Sequence, residues 1–306
     1  MFTSHDAVIA DRLATQRLTS VGHASTVDVV RDLVCVQSQD APLARYSIGL
    51  RLCEAIEDDV RAAINDHQII RTHILRTTCH YVARDDLRWI LALTSPRVIA
   101  SMKGRWARLG LDPAMFQHCE VVLNEILTDG QTLTRPELAA QFVHRVLPGK
   151  GEQLTHLIMR AELVGQICGA GLSADQHTYG LFDQLVPPSA PREHDAAMHD
   201  LVVRFINGHG PATERDIARY ATLRLTDIRR ALADLAGELV SSEVDGQTLW
   251  SNPASRRINE DLRAFLLPTF DEAFLAFVQP NFRRTAGHPR GNEPPSFAEA
   301  AGGLVV

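Results

Sequence analysis

Lysine is almost missing from this chain. Of its 31 lysines and arginines only Lys103 and Lys150 are lysine, so nearly every fixed positive charge is a guanidinium. Arginine is the better ligand for phosphates and base edges. The same bias follows from a GC-rich genome, however, and the net charge of −6 argues mildly against nucleic acid. Cysteine is sparse too: the five are odd in number, scattered, and form no C-x-x-C pair, which excludes a disulfide framework and zinc-like spacing. Thirteen histidines include no H-E-x-x-H or H-x-x-E-H pattern, so no metal site is expected. No apolar run is long enough to span a bilayer, and "MFTSHDAVIADR" lacks the basic start and apolar core of an export signal. The expected location is the cytoplasm, with the nucleoid. A phosphate-cradling glycine loop, a cofactor motif and a Ser-His-Asp order are likewise absent.

What is present is a unit that recurs. In "GPATERDIARYATLRLTDIRRALADLAGELVSSEVDGQTLW", Gly210-Pro211 break the chain and Thr213 with Asp216 forms a capping-box pattern. A second helix follows, with Ile228, Leu232 and Leu235 on one face, and then a hairpin turning at Asp245-Gly246. Helix, turn, helix, hairpin is a winged helix. A second copy precedes it: Thr134 and Glu137 open "TLTRPELAAQFV", "EQLTHLIMRAEL" is its second helix, and "VGQICGAGLSADQHTYGLFD" a long glycine-bearing wing. A third, looser copy has helices within 25–36 and 57–66, then "QIIRTHILRTTCHYVA" as paired strands and a helix "DLRWILALT" capped by Asp85 or Asp86. The repeat is one of pattern, not of residues.

The expected fold is therefore mainly α with small β-hairpin wings (α+β), in three tandem winged-helix units forming a concave surface. The expected divisions are 1–115, 116–190 and 195–253, with 254–306 as a C-terminal segment holding an apolar strand and a mobile, basic, Pro/Gly-rich loop. A lone winged helix serves DNA contact and protein docking alike. Three in a row can line a duplex.

The stretch "STVDVVRDLVCVQSQDAP" poses the sharper question. Ser25 or Thr26 caps a helix, and the run Gln37-Ser38-Gln39 follows before Asp40 and Pro42 shut it down. On a regular helix residues i and i+2 diverge by roughly 200°; in extended backbone they face one side. The break implies that the helix has ended or loosened by Gln37. Two readings stand on spacing alone: amides capping orphan carbonyls, or amides sharing a ligand. Glu54, Glu57, Asp58 and Asp59 read as a solvated helix start.

Several stretches together, "VVRDLVCVQSQDAP", "IIRTHILRTTCHYV…DLRWILAL", "LTRPELA", "LIMRAELVGQIC", "GPATERDIARY" and "LLPTFDEAFLAF", are ordered over nearly the whole chain. In them the sequence resembles the AlkZ-like (YcaQ-related) winged-helix DNA glycosylases of bacteria. The resemblance implies tandem winged helices with a concave DNA-binding surface and hydrolysis of the N-glycosidic bond of bulky or crosslinked N7-alkylated guanines. It also implies a catalytic signature of glutamine, an aliphatic residue, then glutamine or aspartate, which falls on Gln37 and Gln39. Ser38 departs from the aliphatic middle position. The resemblance further implies a β segment beyond Val306.

The chemistry is consistent with that placement. A carboxamide does not titrate near neutral pH and is no general base. An N7-alkylated guanine is already cationic and leaves as a neutral molecule, so two amide oxygens need only hold a water and sit near the developing oxocarbenium ion. Arg76, Arg283 and Arg284 are candidate DNA contacts; Ser38 and His80 are candidates for supporting the site. No cofactor is implied. The expected partner is double-stranded DNA carrying alkylation damage, and with no heptad seam a monomer is expected. The alternative is a non-catalytic winged-helix regulator or lesion sensor, and beyond it a protein-docking scaffold.

Overall fold

The computed structural model describes residues 5–54, 56–254 and 266–278. In chain order the elements are α1 (His5–Thr15), α2 (Thr26–Asp32), β1 (Cys35–Gln37), α3 (Ala41–Gly49) and α4 (Glu57–Asn65). Next come β2 (Ile69–His73), β3 (Cys79–Ala83), α5 (Arg84–Arg108), α6 (Pro113–Ile126), β4 (Leu133–Thr134), α7 (Arg135–His144) and α8 (Gly151–Leu163). They are followed by β5 (Ile167–Ser173), β6 (Gln176–Leu181), α9 (Phe182–Leu185) and α10 (His194–His209). The last are α11 (Glu214–Ala221), α12 (Leu225–Asp234), β7 (Val240–Val244), β8 (Gln247–Ser251) and α13 (Glu272–Leu275). Helices with small antiparallel sheets make this an α+β fold. Contacts divide it into two compact units: Met1–Glu57 with Met198–Val306, and Asp58–Ala197.

In the first unit, Ser25 caps α2 by accepting the Asp28 N–H at 3.2 Å. The helix ends at Asp32, earlier than its apolar spacing suggests, because Val34 takes a left-handed φ of 64° and turns the chain into β1. Asp40 and Pro42 do not shut a helix down, as expected from sequence; they open one. Asp40 is the N-cap of α3, accepting the Leu43 N–H at 3.1 Å, and Pro42 sits in the first turn, where its missing N–H costs nothing. The α11–α12–β7–β8 portion is built on local signals. Thr213 and Asp216 exchange backbone–side-chain hydrogen bonds at 2.8 and 3.1 Å in a full capping box. Ile217, Tyr220, Ile228 and Leu232 are buried, each aliphatic side chain contributing about 1.5–3 kcal/mol. Asp245 and Gly246, at φ 50° and 74°, form the two-residue turn between strands registered from Val240 opposite Ser251 to Val244 opposite Gln247. The wing itself is largely exposed. Gly208 has to be glycine: a Cβ there would lie 1.9 Å from the Asp32 carbonyl oxygen, so the end of α10 closes directly on the end of α2.

Two further expectations in this unit meet the structure. The C-terminal segment 254–306, expected to hold an apolar strand, contains the one-turn helix α13, which Asp271 caps by accepting the Ala273 N–H at 2.8 Å. The basic loop with Arg283 and Arg284 lies outside the described residues.

In the second unit β2 and β3 pair antiparallel, from Ile69 opposite Ala83 to His73 opposite Cys79. Neither Asp85 nor Asp86 caps the helix that follows. The N-cap position is Ala83, and Asp86 lies within the first turn, buried and accepting the Trp89 indole N–H at 3.0 Å. This helix also runs on through Pro96 to Arg108, although an interior proline costs about 3 kcal/mol; burial of Leu87, Ile90, Leu91 and Val98 along its length offsets that. The core gathers Leu123, Leu138, Phe142, Leu154, Leu157, Ile158 and Tyr179 from α6, α7, α8 and β6. Thr134 and Glu137 form the capping box of α7. The wing β5–β6 gains β4 as a third strand against β6, and Gly169 lets β5 approach β2 so closely that a Cβ would meet the Arg71 carbonyl at 2.5 Å.

Candidate active site

The Gln37-Ser38-Gln39 segment belongs to the first unit and lies between two local devices. On its N-terminal side the left-handed Val34 starts the three-residue strand; on its C-terminal side Asp40 caps α3. Cys35, Val36 and Ser38 are fully or almost fully buried, and Gln37 keeps 7% of its surface. Gln39 is exposed, next to the exposed cap Asp40. The two glutamines are thus unequal: one is packed into the protein and one is open to solvent. The strand ends at Gln37 and bends at Gln39, so the helical geometry that would drive the side chains apart is gone.

One edge of β1 is held by side chains. The Tyr220 hydroxyl lies 2.8 Å from the Leu33 carbonyl oxygen and 3.0 Å from that of Cys35, and accepts the Cys35 N–H at 3.2 Å. Two residues on, Glu272 Oε1 accepts the Gln37 N–H at 2.8 Å. Glu272 and His209 are both fully buried, with His209 Nε2 3.9 Å from Glu272 Oε2. The His209 ring stacks on Phe205 at 4.6 Å and tilts against Tyr220 at 5.2 Å.

Asp271, beside Glu272, anchors the other flank. Its carboxylate takes both guanidinium nitrogens of Arg51 at 2.7 and 2.9 Å and the Ser47 hydroxyl at 2.6 Å. Arg51 also donates to the Ser47 carbonyl at 2.8 Å and to Gln16 Oε1 at 3.0 Å. Burial alone would raise the Asp271 pKa, but the Arg51 charge and the hydrogen bonds reverse this and hold it below the usual carboxylate range. Ser47 is on α3 and Arg51 just beyond it, so the dipeptide Asp271-Glu272 grips the chain at Gln37 and again beyond Gln39.

Arg76 and His80 belong to the second unit, in the β2–β3 hairpin. The structure brings them together: Arg76 donates to His80 Nε2 at 3.1 Å, while His80 Nδ1 faces the Thr78 carbonyl oxygen at 3.0 Å. Complete burial, reinforced by the Arg76 charge, pushes the His80 pKa far down, so the imidazole is neutral, donates from Nδ1 and accepts from the half-buried guanidinium. In the same unit His73 pairs with Glu162, whose charge overrides desolvation and lifts the histidine pKa to about 10. A cleft of about 750 Å³ in the first unit is lined by Arg12, Arg215, Asp216 and Trp250, among others, and not by Gln37 or Gln39. No group of three or more His, Cys, Asp or Glu among the described residues is arranged to hold a metal ion, and no described helix is long and apolar enough to cross a membrane.

Sequence reasoning missed Asp271, Glu272, His209 and Tyr220. A signal existed: two adjacent acids in the apolar stretch "LLPTFDEAFLAF", where carboxylates are rarely buried unless paired.

Comparison with known proteins fits this picture. Residues 30–287 match the family model described as DNA glycosylase AlkZ-like. The chain is 26% identical over 262 residues to an interstrand DNA cross-link repair glycosylase of Streptomyces sahachiroi, covering 81% of this chain and 69% of that one. Its fold is similar to the solved Streptomyces sahachiroi DNA glycosylase AlkZ, with a TM-score of 0.74 at 23% identity, over 90% of this chain and 78% of that structure. A match over most of the length places the protein among the DNA glycosylases. The chain belongs to the AlkZ-like DNA glycosylase family.

Proposed function

We propose that this protein is a monofunctional DNA glycosylase that hydrolyses the N-glycosidic bond of bulky or crosslinked N7-alkylguanine in double-stranded DNA, with Gln37 and Gln39 holding the attacking water. The reading is carried by one observation: a Gln-x-Gln segment inside the family match, exposed at Gln39 and fixed at Gln37 by a buried clamp. The amide oxygens accept from the water and place partial negative charge near the anomeric carbon as the cationic base departs neutral. No metal or cofactor is required, because the lesion carries its own activation. Water is the nucleophile; Lys103 and Lys150 lie outside the Gln-x-Gln motif. Arg76, braced by neutral His80, and Arg283 and Arg284 are assigned to DNA phosphates, and Ser38 fills the buried space between the glutamines. Three winged-helix units, at 1–115, 116–190 and 195–253, present the concave DNA surface. A bulky adduct suits an open cleft with hairpin or loop insertion better than a deep base-flipping pocket. The crosslink named for the Streptomyces relative is carried over here as a substrate class.

The test is incubation of a duplex carrying an N7-alkylguanine, followed by alkaline cleavage at abasic sites. Base release by the wild-type protein, lowered on the order of 10²-fold or more in Gln37→Ala and in Gln39→Ala, is expected. Salt-sensitive binding without release would replace the enzyme by a DNA-binding regulator.

A further inference from the structure

We infer that Glu272, backed by His209, is a positioning residue for Gln37, a role that rests on the glycosylase reading above. In an extended strand the N–H groups of residues i and i+2 point to one edge. On this edge of β1 the partners of Cys35 and Gln37 are single side chains, Tyr220 and Glu272, which come from 185 and 235 residues away. The Gln37 N–H therefore meets a carboxylate at 2.8 Å instead of a ladder carbonyl. A fully buried carboxylate is a costly acceptor unless it is paired and held. Here Glu272 is enclosed on two sides. Asp271, one residue earlier, is locked by Arg51 and Ser47, which fixes the start of α13. The His209 ring, itself wedged between Phe205 and Tyr220, stands 3.9 Å from Oε2 of Glu272. Gly208 brings that histidine in by closing α10 on Asp32. The hydrogen bond that the Gln37 N–H donates to this enclosed carboxyl oxygen sets the backbone of Gln37, and through Ser38 that of Gln39. Such precision matters, since a displacement of about 1 Å in a positioning group costs on the order of 10²-fold in rate.

The test compares Glu272→Met, which fills the same space but offers no oxygen, with Glu272→Gln, which keeps an acceptor for the amide. Two measurements are made on the full chain: hydrogen exchange of the Gln37 amide, and single-turnover release of N7-alkylguanine alongside duplex affinity. Glu272→Met should raise Gln37 exchange by about tenfold or more and slow base release by roughly 10- to 100-fold at unchanged DNA affinity. Glu272→Gln should restore most of both. Unchanged exchange in Glu272→Met overturns the clamp, even if the variant is inactive. Base release no better in Glu272→Gln than in Glu272→Met overturns positioning by the hydrogen bond. The glycosylase reading fails separately: if Gln37→Ala releases base at the wild-type rate while Glu272→Met exchanges faster, the clamp stands but positions nothing catalytic.

Discussion

Replacing Asp271 by alanine should strongly destabilise the first unit. The carboxylate and Arg51 are exposed by 0% and 1%, and three side-chain donors at 2.6 to 2.9 Å converge on the acid. Their mutual attraction largely repays the desolvation of both ions, so the intact pair adds little net stability. Removing one partner leaves the guanidinium charged and unpaired in the interior, at a cost of about 3–5 kcal/mol. With a urea m-value of about 2 kcal/mol/M, the unfolding midpoint should fall by about 2 M. The double variant Arg51→Leu/Asp271→Leu should recover much of the loss, because no buried charge is left behind. The pH dependence follows from the depressed folded pKa of Asp271. Its contribution is complete above the unfolded value near 3.8 and is lost as pH falls below it, and Asp271→Ala should lack that acid-side loss. Urea titrations monitored by far-UV circular dichroism check both points. A midpoint change of less than about 0.5 M would mean that the pair is not the buried anchor described here.

Gly208→Ala should destabilise by about 3 kcal/mol or more, because its methyl group would overlap the Asp32 carbonyl oxygen at 1.9 Å; a thermal melt unchanged within a degree would contradict the closure of α10 on α2. The His73–Glu162 pair of the second unit gives an alkaline signature. Its histidine pKa is raised to about 10, so its contribution is full below about 6.5 and disappears as pH rises toward 10. Stability measured between pH 7 and 10 should fall more steeply in the wild-type protein than in His73→Gln, and parallel profiles would refute the pairing.

What could be read from the chain by itself is whatever neighbours in sequence settle between themselves. Thr213 with Asp216 and Thr134 with Glu137 are three residues apart, so their capping boxes need no tertiary partner. Asp245-Gly246 specifies its hairpin because both residues tolerate positive φ. Even so, local signals are ambiguous wherever two elements meet. Asp40 and Pro42 are as compatible with the end of one helix as with the start of the next, and only the packing of α3 decides for the start. Asp86 has the composition of a cap, yet the helix begins before it because β3 runs straight into α5. The pairings around Gln37 were beyond sequence altogether. Glu272 meets its backbone across 235 positions, and Arg51 meets Asp271 across 220. Periodicity reports which face of an element is apolar, not which distant carboxylate will be folded against it. The glutamines themselves are named by the chain; the buried acid and imidazole behind them exist as a site only once the two ends of the sequence have packed together.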